Sequence, residues 1–186
     1  MNFEKTNLLH QQLQDYLNSS KKRFEFEINY PLPERISSIY EIIFPGVQKY
    51  RFYLRFLLAR IAQYIDYSPI KVFLYRAIGI KIGQGVFISP DVILDPHFPK
   101  LIEIGDYVIL GWGAKLFTHE FSAKQYRLGR IIIEEGAIIG GFSFIRGGVT
   151  IGKHAEIIAN GVVYKDVPDN TTFSLFDLVE ALLTHR

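Results

Sequence analysis

"IEEGAIIGGFSFIRGGVTIGKHAEIIANGVVYKDVP", Ile133 to Pro168, repeats every six residues, and the rhythm decides the fold. Each hexad opens on an aliphatic residue: Ile133, Ile139, Ile145, Ile151, Ile157, Val163. The same register holds upstream in "IGDYVILGWGAKLFTHEF", Ile104 to Phe121, and in "IGQGVFISPDVILDPHFP", Ile82 to Pro99. All twelve first positions are Ile, Leu or Val, and the fifth is mostly small or short, as at Val86, Ala114, Ser143 and Gly161. Glycine often takes the second position, as at Gly83, Gly105, Gly140 and Gly152.

A period of six matches neither a helix nor a simple strand. It matches a parallel β-helix in which each hexad is one short strand plus a corner, its aliphatic residue stacked on the next coil. Three hexads make a coil, so twelve predict about four coils. At the usual inter-strand spacing they form a prism roughly 20 Å tall. Two interruptions, Lys100–Glu103 and Ser122–Ile132, leave the stack at corners and are expected to be surface loops; the second carries Lys124, Arg127 and Arg130.

The first 79 residues lack the hexads. "KTNLLHQQLQDYLNSS", "YPLPERISSIYEIIFPG", "VQKYRFYLRFLLARIAQYIDYS" and "SPIKVFLYRAIG" carry helical spacing or helix stops. The predicted organisation is an α-helical cap over 1–79, a β-helix over 80–170, and a C-terminal helix over 171–186 in "SLFDLVEALLTHR", with Ser174 as its N-cap.

Composition removes several function classes. With no cysteine among 186 residues, disulfides and thiolate zinc sites are excluded. Residues 1–79 hold 11 Lys/Arg against 7 Asp/Glu, and residues 80–186 hold 10 against 12, too mild an asymmetry for nucleic-acid binding. The most apolar stretch, Phe52–Tyr67, is interrupted by Arg55, Arg60 and Asp66, which argues against a bilayer span. Its expected use is burial against the prism, with contact to a membrane surface as the alternative. The first residues lack the apolar core of a signal peptide, so a cytoplasmic protein is expected.

The hexads, "THEF" before an interruption and then "GVTIG…KDVP", resemble the left-handed β-helix (hexapeptide-repeat) acyltransferases. The likeness spans roughly 79–170 and is nearest to the maltose and galactoside O-acetyltransferases and related polysaccharide-biosynthesis acetyltransferases. "YPLPERISSIYEIIFPG" is weakly similar to the helical region of serine acetyltransferases, but their Asp-His-Gly and Arg-His-Pro motifs are absent, so serine is not carried over as acceptor.

The resemblance implies a homotrimer using acetyl-CoA, with active sites between adjacent prisms and a hydroxyl acceptor such as a sugar. It puts the catalytic histidine at His119, whose chemistry suits a general base near neutrality. The family's asparagine before "ILD" is missing here, so Asp95 or Glu120 is the expected partner orienting the imidazole. The implied CoA contacts are Gly141, Ser143, Gly161, Tyr164 and Lys165; the family's Asn-Pro-Ala tail is absent, and Arg146 and Lys153 are candidates to replace it.

Other readings stay open. His97 sits at a corner or lines the cleft, the corner being favoured, and His154 faces solvent. Trp112 is read as packing or a subunit interface, with contact to the acceptor as the alternative. A zinc enzyme of the γ-carbonic anhydrase kind needs a close histidine pair that is absent, so no metal is expected. A non-catalytic trimeric scaffold, and an N-acetyltransferase of an amino sugar, are the alternatives.

Overall fold

The computed structural model describes residues 3–27, 49–122 and 125–174. The expected helices over "YPLPERISSIYEIIFPG" and "LFDLVEALLTHR" lie outside the described residues.

The hexads form three parallel ladders. The first coil is β2 (Lys81–Ile82), β3 (Phe87–Ile88) and β4 (Ile93–Leu94). The second is β5 (Ile102–Ile104), β6 (Ile109–Leu110) and β7 (Lys115–Phe117). After a hairpin, β8 (His119–Phe121) and β9 (Gln125–Gly129), come β10 (Ile131–Ile133), β11 (Ile138–Ile139) and β12 (Phe144–Arg146). Then follow β13 (Val149–Ile151), β14 (Glu156–Ile157), β15 (Val162–Val163) and β16 (Thr172–Phe173). The ladders run β2-β5-β10-β13, β3-β6-β11-β14-β16 and β4-β7-β12-β15.

Register follows the first hexad position. Ile82 pairs Ile104 and Ile104 pairs Ile133, Ile88 pairs Leu110, and Leu94 pairs Leu116. All twelve of these aliphatics are buried in one core. The stack is a column of like residues, and its stability comes from removing that column from water.

The corners have their own rule. The fourth residue of a hexad takes a left-handed backbone at Gly85, Asp91, Tyr107, Gly113, Gly136, Phe142, Gly148, His154 and Asn160. A bulky residue there is uncommon. At three corners it is accommodated by a glycine in the coil before. A Cβ on Gly85 would lie 2.5 Å from the Tyr107 ring, one on Gly113 2.8 Å from Phe142, and one on Gly136 2.3 Å from His154. Ring and glycine therefore alternate along the edge.

An open β-helix exposes unpaired backbone at its first coil. Helix α2 (Lys49–Tyr64) and helix α3 (Ser68–Ala77) close that edge. Ser68 Oγ accepts from the Ile88 amide at 2.9 Å, and Tyr75 Oη donates to the Val92 carbonyl at 2.9 Å. The Arg76 guanidinium donates to the Ile82 carbonyl. Lys71 is fully buried, its Nζ donating to the Ser89 carbonyl at 2.7 Å. Burial lowers the lysine's pKa, against the opposing pull of Asp66 and Asp91. Lys71→Met keeps the packing but strands that carbonyl, and is expected to cost about 1–3 kcal/mol in urea unfolding at unchanged slope.

Two expectations need correction. The 1–79 segment is not wholly helical: after α1 (Phe3–Leu17) comes β1 (Arg23–Glu27). Ser122–Ile132 is mostly strand rather than loop, because β9 pairs antiparallel with both β8 and β1. Alternation drives this, with Tyr126 and Leu128 buried on one face. They join Leu13, Tyr16, Phe98 and Leu101 in a second small core that fixes the hairpin to α1. Helix α2 buries Ala59 and Ala62 but leaves Tyr53, Leu54 and Leu57 exposed, so its burial against the prism is one-sided.

Candidate functional site

Three hexads break the corner rule, at His97, His119 and Asp166, and all three follow strands of the β4-β7-β12-β15 ladder. After His97 and His119 the chain leaves the prism instead of turning, whereas after Asp166 it rejoins the stack at once, Val167 bridging Ile151. Asp95 directly follows β4 and Thr118 directly follows β7, so neighbouring coils bring them to one edge.

Asp95 is completely buried and receives five hydrogen bonds. Oδ1 accepts from the His97 amide at 2.9 Å and from His97 Nδ1 at 3.0 Å. Oδ2 accepts from the Thr118 amide at 3.1 Å, Thr118 Oγ1 at 2.5 Å and His119 Nδ1 at 2.6 Å. Burial alone would raise the carboxyl pKa. The hydrogen bonds from His119, His97 and Thr118, with the nearby His119 charge, outweigh it and hold Asp95 well below the usual carboxylate range. An ionised Asp95 requires both Nδ1 atoms to carry hydrogen. A neutral imidazole then keeps its lone pair on Nε2, the form of a general base.

The two imidazole rings lie 4.6 Å apart between centroids. Phe52 packs on His97, while Phe98, Phe117 and Tyr126 surround His119. Each histidine side chain stays about one-fifth exposed, 21% and 22%. His97 therefore belongs to the Asp95 cluster rather than to an idle corner, against the favoured expectation. Glu120 does not orient the imidazole. Its carboxylate holds Arg146 in a two-point pair, Nε to Oε1 at 2.5 Å and Nη2 to Oε2 at 2.6 Å. These two line a cleft of about 240 Å³ with Thr118, Arg23 and Arg127.

The donor atoms of Asp95, His97 and His119 lie within 4.8 Å of one another, close enough to share an ion. Both Asp95 carboxylate oxygens and both Nδ1 atoms already serve hydrogen bonds, so a metal bound through them would have to break the network that orders the site.

Of the residues that the resemblance assigns to CoA, the last two coils bring Gly141, Ser143 and Gly161 together. Ser143 is buried, its Oγ donating to the Ile158 carbonyl at 3.1 Å and accepting from the Gly161 amide at 3.2 Å. The Gly161 carbonyl accepts from the Phe144 amide, and the Gly141 carbonyl from the Asn160 amide. Tyr164 and Lys165 are exposed and directly follow β15, on the same edge as Asp95 and Thr118. Arg146 is taken by Glu120, and Lys153 lies 3.7 Å from Glu135. Trp112 and His154 are exposed. No helix among the described residues is long and apolar enough to cross a membrane.

No protein-family model matches the chain. It is 34% identical over 115 residues to "Putative acetyltransferase YvoF" of Bacillus subtilis, covering 61% of this chain and 67% of that protein. Among solved structures it superposes on the hexapeptide-repeat acetyltransferase VCA0836 of Vibrio cholerae, complexed with acetyl coenzyme A, with TM-score 0.57 and 24% identity. That match covers 69% of this chain and 84% of the Vibrio protein. A maltose O-acetyltransferase from Clostridium difficile gives TM-score 0.53 at 24% identity, over 67% of this chain and 82% of that one. The prism, its hexads and the YvoF relationship agree, and the chain belongs to the hexapeptide-repeat acetyltransferases.

Proposed function

We propose that the chain transfers an acetyl group from acetyl-CoA to a hydroxyl of a sugar or similar small acceptor, with His119 as general base and Asp95 orienting it. The observation that carries this reading is the 2.6 Å contact between His119 Nδ1 and a fully buried, ionised carboxylate. His119 Nε2 takes the acceptor's hydroxyl proton as its oxygen attacks the thioester carbonyl. The C–S bond then breaks, and the CoA thiolate leaves with that proton. Asp95 stabilises the imidazolium in between.

Acetyl-CoA is the donor by the family's chemistry and by the ligand of the Vibrio structure. Tyr164 and Lys165, with backbone at Gly141, Ser143 and Gly161, are the proposed contacts along the last coils. A homotrimer fits the outward column Phe87, Ile109 and Ile138, which is apolar and exposed on a single chain. The maltose O-acetyltransferase likeness favours a sugar hydroxyl over an amino sugar.

The test is thiol release from acetyl-CoA across a panel of sugars, a clean assay because the chain has no cysteine. His119→Ala is expected to lower kcat about 10²–10⁴-fold with acetyl-CoA binding retained. His97→Ala, whose contact to Asp95 is the longer at 3.0 Å, is expected to lose less. Equal losses in both would move the base to the pair. No turnover by wild type with any acceptor would favour the scaffold.

A further inference from the structure

A second cleft has His97 in its wall. It holds about 150 Å³, between the end of α1, the start of α2 and the Pro99–Leu101 turn. Its charged lining is Arg51, Arg55 and Lys100, with His97 at one wall and the amide side chains of Gln14 and Asn18 beside them. Among the described residues no carboxylate lines it.

That separates it from the cleft by Thr118. There, Arg146 is neutralised by Glu120, and Arg127 pairs with Glu25 at 3.4 Å. Among the described residues no carboxylate pairs with Arg51, Arg55 or Lys100. Glu103, three residues past Lys100, is engaged by Lys81 at 2.8 Å. Arg51 donates from Nε to the neutral Tyr50 hydroxyl at 3.2 Å. Arg55 is half-buried, and this burial together with the charge of Arg51 lowers its pKa. Two guanidiniums held one helical turn apart, with no described carboxylate between them, repel each other, a cost that an incoming anion removes.

We infer that this cleft is a subsite for a phosphoryl group of a substrate, held by Arg51, Arg55 and Lys100 beside the histidine pair. Three cations match a phosphate's multiple charge and several acceptor oxygens better than a single carboxylate, and arginine forks bind such oxygens two at a time. The amides of Gln14 and Asn18 supply neutral donors at the rim. The inference rests on the acetyltransfer reading for the phosphate's owner, which is either the acceptor or CoA; the cleft's own chemistry is the same for both.

The test titrates inorganic pyrophosphate into the full chain by calorimetry at low salt, with wild type, Arg55→Gln, Lys100→Gln and, as control, Arg127→Gln. Wild type is expected to bind. Arg55→Gln should weaken binding roughly 10–100-fold, and Lys100→Gln, at an exposed site where folding is not at stake, roughly tenfold. Arg127→Gln should bind as wild type. Absence of binding by wild type, or equal binding by all four proteins, overturns the subsite. Repeating the titration with the protein saturated in CoA assigns the phosphate. Binding that persists belongs to the acceptor, whereas displacement by CoA, with CoA itself weakened by Arg55→Gln, makes it the donor's. Acetyl-CoA titrated alone separates the two readings: if it fails to bind while pyrophosphate still depends on Arg55, the subsite stands and the donor assignment falls.

Discussion

Asp95→Asn lowers kcat by about 10³-fold or more while acetyl-CoA binding stays near wild type. The amide is nearly the same shape as the carboxylate, but one of its two ends becomes a donor. It then faces either the Thr118 amide and hydroxyl with His119 Nδ1, or the two donors of His97. If the amide oxygen faces His119, His97 loses its acceptor; if the amide nitrogen faces His119, His119 turns to the wrong tautomer and its lone pair moves off Nε2. Either way a hydrogen-bond donor is stranded in a buried site, at about 1–3 kcal/mol of stability.

The same variant has a signature in acid. Asp95 is ionised in the folded chain with its pKa held down, so the native state binds fewer protons than the unfolded one at low pH. Its contribution is complete above the ordinary carboxylate pKa of about 4 and disappears as pH falls further toward the depressed folded value. Wild type should therefore lose stability steeply below that point, and Asp95→Asn should lose it less steeply. Thermal melts at stepped pH read this directly. Parallel acid limbs in the two proteins would mean that the carboxylate does not carry the linkage.

Leu116→Ala carries the largest expected loss of stability, about 3–5 kcal/mol. Leu116 is fully buried, pairs with Leu94 before it and Ile145 after it, and lies two residues ahead of Thr118. Its neighbours are fixed by ladder hydrogen bonds on both sides and cannot collapse into the space, so the cavity persists. A loss of that size is a large share of a domain's whole stability. It should appear as a lower urea midpoint. Val163→Ala, in the last strand of the same ladder, removes fewer atoms and should cost less. Equal midpoints for Leu116→Ala and wild type would contradict the packed column.

Much of this was legible in the residues themselves. The first hexad position gave the interior register because one residue in six had a single possible destination, the prism axis. His119 stood out because a repeat lapsed beside it. Two elements escaped for a common reason. Arg23–Glu27 alternates "RFEFE" and Gln125–Gly129 alternates "QYRLG", each a strand signal, yet each needs the other about one hundred residues away to become a sheet. Five residues between helices read as linker, and five inside an insertion read as loop. His97 was favoured as a corner for a different reason. It occupies a fourth position like Tyr107 or His154, and only the paired Leu94 and Leu116 reveal that its corner is the one where the chain departs. The charged cleft had no local signature, since Arg51, Arg55 and Lys100 meet only through the docking of α2 on the first coil.

The Asp95–His119 pair joins the first coil to the second, so its spacing is set by a ruler common to every sheet rather than by loops that can drift. The ring-over-glycine edges add direction to that ruler, since sliding one coil past its neighbour would bring ring against ring. Function is thereby laid out along a line. The proposed base and the charged cleft occupy the end sealed by α2 and α3, while the proposed donor contacts occupy the coils toward β16. A stack held by nearest neighbours frays from whichever end is weaker. Fraying from the β16 end would release the donor while the histidine stayed poised, and the chain would idle reversibly before it lost its chemistry.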